Sequence, residues 1–433
     1  MNKLPTRTKN KTDAGNGSYG IRRVIDGCQR HPALPFGLPS ASDVAPLHSR
    51  SSSPDPWSLV GERKTMRIWI LVAVHWVVFA PAVTQGQAVN PKGVQNILAE
   101  EGDKFPGGLV LGHIPANSDE PLAEVFSLER AARSMDLAAL NWQSQPRQQC
   151  SQCHANMLHL VARPVLAGLV SEPPEVRQLF EQDIVARRWE KHGLLYNVEA
   201  VVVAVPLALH DRQTTGKLHA LTRQALDRMV AVQEKDGTWG NTAGGKYAFF
   251  LRYEQTLFAA IGLASAPDGY SETESGRQAL ERIRKFAQAN PPKHLYAKGM
   301  LLWASAHVEG LATPDQRKAA ADELLSLQRS DGGWALRRML SDDPNQPAGR
   351  FAADLPSDGY GTGFAIFVLR QAGLPATDSR LRPGVAWLKS NQRRSGRWFH
   401  PTLSNRPNNV LSNTATAWAV LALQACGENS AKQ

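Results

Sequence analysis

From about residue 121 the chain alternates two kinds of helical pattern. Segments 217–233, 275–289, 314–328 and 381–391 are charged with one apolar stripe. In the first, Leu218, Leu221, Ala225, Leu226, Met229 and Val230 recur at the i, i+3, i+4, i+7 spacing of a surface helix. Segments 197–210, 254–265, 296–307, 362–372 and 414–425 are apolar nearly all round, as in Val201-Val202-Val203-Ala204-Val205. A helix apolar on every side must be buried on most of them, so strict alternation predicts inner helices wrapped by outer ones. With 124–141, 148–167 and 174–188 added, the pattern gives about six inner/outer pairs, an all-α double ring over 121–427. Residues 89–120 read as a linker and 428–433 as a tail.

The joints between the two helix types repeat as well. Gln233-Glu-Lys-Asp236-Gly237-Thr-Trp239 returns as Gln328-Arg-Ser-Asp331-Gly332-Gly-Trp334 and as Gln392-Arg-Arg-Ser395-Gly396-Arg-Trp398. Each ends a charged helix and precedes an apolar one. The Asp-Gly or Ser-Gly pair supplies a turn and a left-handed helix stop. The Gln amide can satisfy helix-end groups that lack an intrahelical partner, and the Trp ring can pack over it.

This joint resembles the repeat of the squalene and oxidosqualene cyclases, and the alternating helices resemble the β subunits of protein prenyltransferases. The resemblance covers 121–427, rests on the three joints and on Asp358-Gly-Tyr360-Gly-Thr362-Gly-Phe364, and implies an α/α toroid around a central cavity. It implies less about activity. Squalene cyclases protonate their substrate with an Asp-x-Asp-Asp motif, which this sequence lacks, and Asp342-Asp343 is a poor substitute. No set of Asp, Cys and His matches the zinc site of the prenyltransferases.

Charge modifies the picture only at the front. Residues 1–65 carry ten basic against five acidic side chains, half of the net charge of +10, in a Pro- and Ser-rich stretch without periodicity. That is the composition of a disordered or misassigned upstream extension. The remaining excess is spread thinly, which argues against a nucleic-acid partner. Met66-Arg67, the apolar run 68–80 and the small-residue site Gly86-Gln87-Ala88 read as a secretory signal peptide over 66–88. The run is short of the roughly 20 residues of a spanning helix. The rest of the chain is expected outside the cytoplasm, periplasmic or extracellular; the alternative is an uncleaved anchor over 68–83, the one membrane contact expected.

The sharpest chemical signal is Cys150-Ser-Gln-Cys153-His154. Two thiols three residues apart followed by His form the attachment pattern of haem c, with His154 on the iron. A Cys150–Cys153 disulfide and a zinc site are the other readings. The motif resembles a Cys-x-x-Cys-His segment of exported toroid-like proteins that is followed by Ala162-Arg163-Pro164. Residues considered for the far side of a haem are His294, Met300 and His400, while Met157 and His159 read as core. Cys28 and Cys426 look incidental.

Glu199 and Glu254 stand at matching places near the starts of apolar helices, level with Tyr360 and Thr414, and Tyr196, Tyr247, Tyr253 and Tyr296 lie near the same end. A carboxylate there must be paired or line a wet cavity. The pair gives either a pocket with acid–base potential or two carboxylates satisfied by a helix N-terminus or by Arg252. Three functions stay open: an exported toroid with a cavity for an apolar ligand and haem c at its mouth, served by a redox partner; a terpenoid-processing enzyme using the cavity; and a non-catalytic binding domain with a Cys150–Cys153 disulfide.

Overall fold

The computed structural model describes residues 118–143, 155–194, 197–239, 252–340, 356–400 and 411–428. The signal segment, Cys150, Cys153, His154, Tyr196 and Tyr247 lie outside the described residues, as does all of the first compact unit, Met1–Ala82. The described chain is helical with a single isolated β-bridge. In order the helices are α1 (Leu128–Gln143), α2 (Asn156–Ala162), α3 (Pro174–Gln178, running on with π-type bonding over Leu179–Trp189), α4 (Asn197–Thr214) and α5 (Ala220–Ala231). They continue with α6 (Arg252–Ser265), α7 (Glu274–Ala289), α8 (Leu295–Ser305), α9 (Pro314–Ser326) and α10 (Leu336–Met339). The last three are α11 (Gly359–Gln371), α12 (Arg382–Ser390) and α13 (Leu411–Ala425).

The apolar helices pack in sequence, α2 on α4, then α6, α8, α11 and α13, and α13 returns to α2. The inner ring is therefore closed. α1, α3, α5, α7, α9 and α12 lie outside it: α3, α5, α7, α9 and α12 each pack on the inner helix that precedes them in the chain, and α1 packs on α13 and α2. This is the six-pair α/α toroid that the alternation predicts. Gly363 lets the inner ring tighten at one place: a Cβ there would stand 2.6 Å from the backbone of Trp418 and Ala419 on α13. Near the axis, Trp303 on α8 meets Phe258 on α6, Phe367 on α11 and Trp418 on α13 at centroid distances of 5.9, 5.1 and 5.6 Å. Rings from four helices thus meet around Trp303.

The three joints share one bonding scheme. Gly237, Gly332 and Gly396 have φ of 89°, 88° and 89°, the left-handed stop expected of them. The indoles of Trp239, Trp334 and Trp398, all fully buried, donate to the carbonyls of Met229, Leu324 and Leu388 at 2.7–2.8 Å. Each thereby satisfies a carbonyl in the last turn of an outer helix. Each Gln amide donates at 2.9 Å to the carbonyl of its own joint glycine. It also donates to the next outer helix or its entry: Gln233 to Ala279, Gln328 to Arg380 and Gln392 to Ser127. The Gln thus reaches beyond its own joint to the following outer helix.

The third joint shuts the ring. Gln392 also accepts from Ser127 N at 2.8 Å, Ala123 N donates to Gln392 O at 2.8 Å, and Arg394 N donates to Pro121 O at 2.9 Å. No helix among the described residues is long and apolar enough to cross a membrane.

A Cβ at Gly396 would lie 2.3 Å from the backbone of Arg130, whereas one at Gly373 (φ 99°) meets nothing within 4 Å. Gly396→Ala is expected to lower unfolding stability by about 2–5 kcal/mol, strain plus overlap, and Gly373→Ala by only about 1–2 kcal/mol of strain. Denaturant melts of the two variants check the difference.

Candidate functional site

Polar residues at the starts of α6, α8 and α11 lie together with His400, just after the third joint. Asp358 caps α11, its Oδ1 accepting from Gly361 N at 2.8 Å and its Oδ2 from Leu336 N at 2.8 Å. His400, wholly buried, places Nδ1 2.8 Å from the same Oδ1. His294 caps α8 through Nδ1, which accepts from Ala297 N at 3.2 Å. Its Nε2 then carries the proton and stands 3.1 Å from Glu254 Oε1.

Between these pairs lie the tyrosines. Tyr296 and Tyr360 share a hydroxyl hydrogen bond of 2.9 Å. Tyr296 stacks on His294 and on Phe364, with centroids at 6.4 and 4.4 Å, and Tyr360 leans on His400 and Trp418 at 5.6 and 6.4 Å. Both tyrosines remain partly accessible. Burial, reinforced by the neighbouring Tyr360 and by the charge of Glu254, raises the Tyr296 phenol far above its usual range. Burial likewise outweighs the hydrogen bonds to Tyr360 and pushes its pKa up to about 12.

The two carboxylates singled out from the sequence have different surroundings. Glu199 is ion-paired with Arg188 of α3, a partner the sequence reading did not name. Glu254 has His294. Arg252, offered as a partner for these carboxylates, is instead held by Asp236 and by Thr238 Oγ1 at 2.9 Å. Tyr253 packs on Phe286 of α7 at 5.8 Å, and its phenol is raised by burial and by Glu254. Thr414 is buried at the start of α13, its hydroxyl without a hydrogen-bond partner among the described residues. The three residues considered for the far side of a haem are spent inside the protein: His294 on its cap and Glu254, Met300 in the core, His400 on Asp358. Met157 packs on the core and His159 is buried, its Nε2 2.8 Å from Asp136 Oδ1. Arg163, which follows the cysteine motif, is fully buried on Asp136 and on the carbonyls of Val170 and Ser171.

The capping roles of Asp358 and His294 went unread in the sequence. Their signal is local: each sits three residues before the amide that its side chain accepts.

No family model matches the chain. A curated relative, the squalene–hopene cyclase of Zymomonas mobilis subsp. mobilis, is 34% identical over 122 residues, which are 27% of this chain and 16% of that protein. A solved structure, the ent-copalyl diphosphate synthase from Streptomyces platensis, is similar with a TM-score of 0.43 and 15% identity over 64% of this chain and 50% of that one. The chain thus spans about a sixth of the length of the curated relative it matches.

Because folding raises Tyr360 from 10.0 to about 12, the unfolded chain loses that proton first. The contribution is complete below pH 10 and is lost as pH climbs through about 12. Denaturation of the wild type between pH 9 and 12 should show stability falling with pH, and Tyr360→Phe should flatten part of that slope.

Proposed function

We propose that this chain is an exported, squalene-cyclase-like toroid that holds an apolar small molecule at the mouth of its ring and does not cyclise polyenes. The observation that supports it is the Tyr296–Tyr360 pair, partly accessible and desolvated, beside the rings of Phe364 and Trp418. Such a surface offers apolar contact with few polar groups to fix orientation. The acids near it do not suit protonation of an alkene. Tyr360, at about 12, is a weak acid, and Asp358 is spent accepting from two backbone amides and facing His400. The partial identity to a protein named squalene–hopene cyclase supports kinship of the fold, over 27% of this chain.

A second reading, a terpenoid-processing enzyme of another kind, draws on Glu254 and His294, a carboxylate and an imidazole 3.1 Å apart beside the tyrosine pair. Haem c belongs to the proposal through the donor chemistry of Cys150, Cys153 and His154, two thiols for covalent attachment and an imidazole for iron. When bound, such a group would supply one-electron chemistry and call for a redox partner.

Protein purified from an exporting host that attaches haem should yield, on solvent extraction and mass spectrometry, an apolar compound at near-stoichiometric amount. Recovery of none, from protein offered isoprenoid lipids, would contradict the binding reading. A Soret band that survives denaturation and vanishes in Cys150→Ala/Cys153→Ala is expected for haem; a colourless protein with those two thiols oxidised would point to the disulfide instead.

A further inference from the structure

The buried carboxylates of the described residues are Asp136, Glu199, Asp211, Glu254 and Asp358. Asp136 is held by Arg163, Glu199 by Arg188 and Asp211 by Arg177. Asp358 accepts from two backbone amides and faces His400. Glu254, 6% exposed, has a different environment. Among the described residues its one ion-pair partner is His294, whose Nδ1 accepts from Ala297 N and so leaves Nε2 facing the carboxylate. Glu254 Oε1 also has no partner in hydrogen-bond geometry. Among the described residues no Lys or Arg pairs with this buried carboxylate; a buried charge left unpaired costs several kcal/mol elsewhere in proteins.

What surrounds it is aromatic. His294 stacks on Tyr296, Tyr296 bonds to Tyr360, and Phe364 and Trp418 complete the wall. The charge of Glu254 is felt at both Tyr296 and Tyr360. Ring faces attract cations, most strongly where water is excluded, and a carboxylate among them adds its own field.

We infer that the mouth recess takes an organic cation: the ammonium head of an amphipathic molecule sits between Glu254 and the Tyr296–Tyr360 rings, with its apolar tail towards the axial aromatics. This rests on the apolar-ligand reading above and specifies its head group. Glu254 supplies the counter-charge, the rings supply the faces, and His294 flanks the carboxylate at 3.1 Å.

The test uses the purified mature chain and three decyl probes below their micelle concentrations: decyltrimethylammonium, 1-decanol and decanoate. Equilibrium dialysis should give the ammonium at least about tenfold tighter than the alcohol, with decanoate weakest. In Glu254→Gln, which keeps the shape of the side chain, the ammonium-to-alcohol ratio should fall to about one while alcohol binding persists. Equal binding of ammonium and alcohol by the wild type would overturn the cation assignment and leave the apolar pocket standing. Binding of none of the three would overturn both. A wild-type preference that survives in Glu254→Gln would remove Glu254 from the site.

Discussion

The structure depends on a glutamine that bonds in two directions at once. At each joint the Gln amide ties the glycine carbonyl of its own turn to a carbonyl of the next outer helix, or of the residue leading into it. A neighbouring indole closes off the last turn of the helix just finished. The glycine is obligatory for two reasons, a positive φ and a backbone pressed against the next unit: Arg282 for Gly237, Pro383 for Gly332 and Arg130 for Gly396. One set of residues therefore ends a helix, turns the chain inward and locks adjacent repeats. In the third copy the next helix is the first one, α1, and a repeating contact becomes a closed ring.

Closure has a chemical consequence. The first turns of α6, α8 and α11 bring Glu254, His294, Tyr296 and Tyr360 together with Asp358 and His400 in one polar and aromatic patch. Side chains there serve the fold and the site together. Asp358 and His294 each satisfy helix N-terminal amides, and the same bonds fix the orientation of His400 and the tautomer facing Glu254. The cap of α8 thereby sets which imidazole nitrogen faces Glu254.

Much of this was legible in the sequence because it is periodic. The alternation of charged and apolar helices and the three joints carry the architecture, since burial and turn chemistry are local demands repeated along the chain. Glu254, Tyr296 and Tyr360 were legible as a level, being alike in register. Partnership was not. Arg188, eleven residues before Glu199, comes from the preceding outer helix, and His294 reaches Glu254 across the gap between two inner helices. No spacing rule in a single sequence encodes which of several nearby cations swings inward, so Arg252 was as plausible for these carboxylates as Arg188. Histidines 294 and 400 looked like free ligands because their capping and carboxylate partners are tertiary or depend on where a helix begins.

The final joint fastens the last repeat to the first. Native-state hydrogen exchange reads it directly at Ala123, Ser127 and Arg394, whose amides donate to Gln392 O, Gln392 Oε1 and Pro121 O. Closure predicts that these amides exchange as slowly as Glu234 and Arg329 in the two inner joints, and that all of them open together. Rapid exchange at the first three alone, with the inner joints protected, would show an open arc of helices and contradict the account.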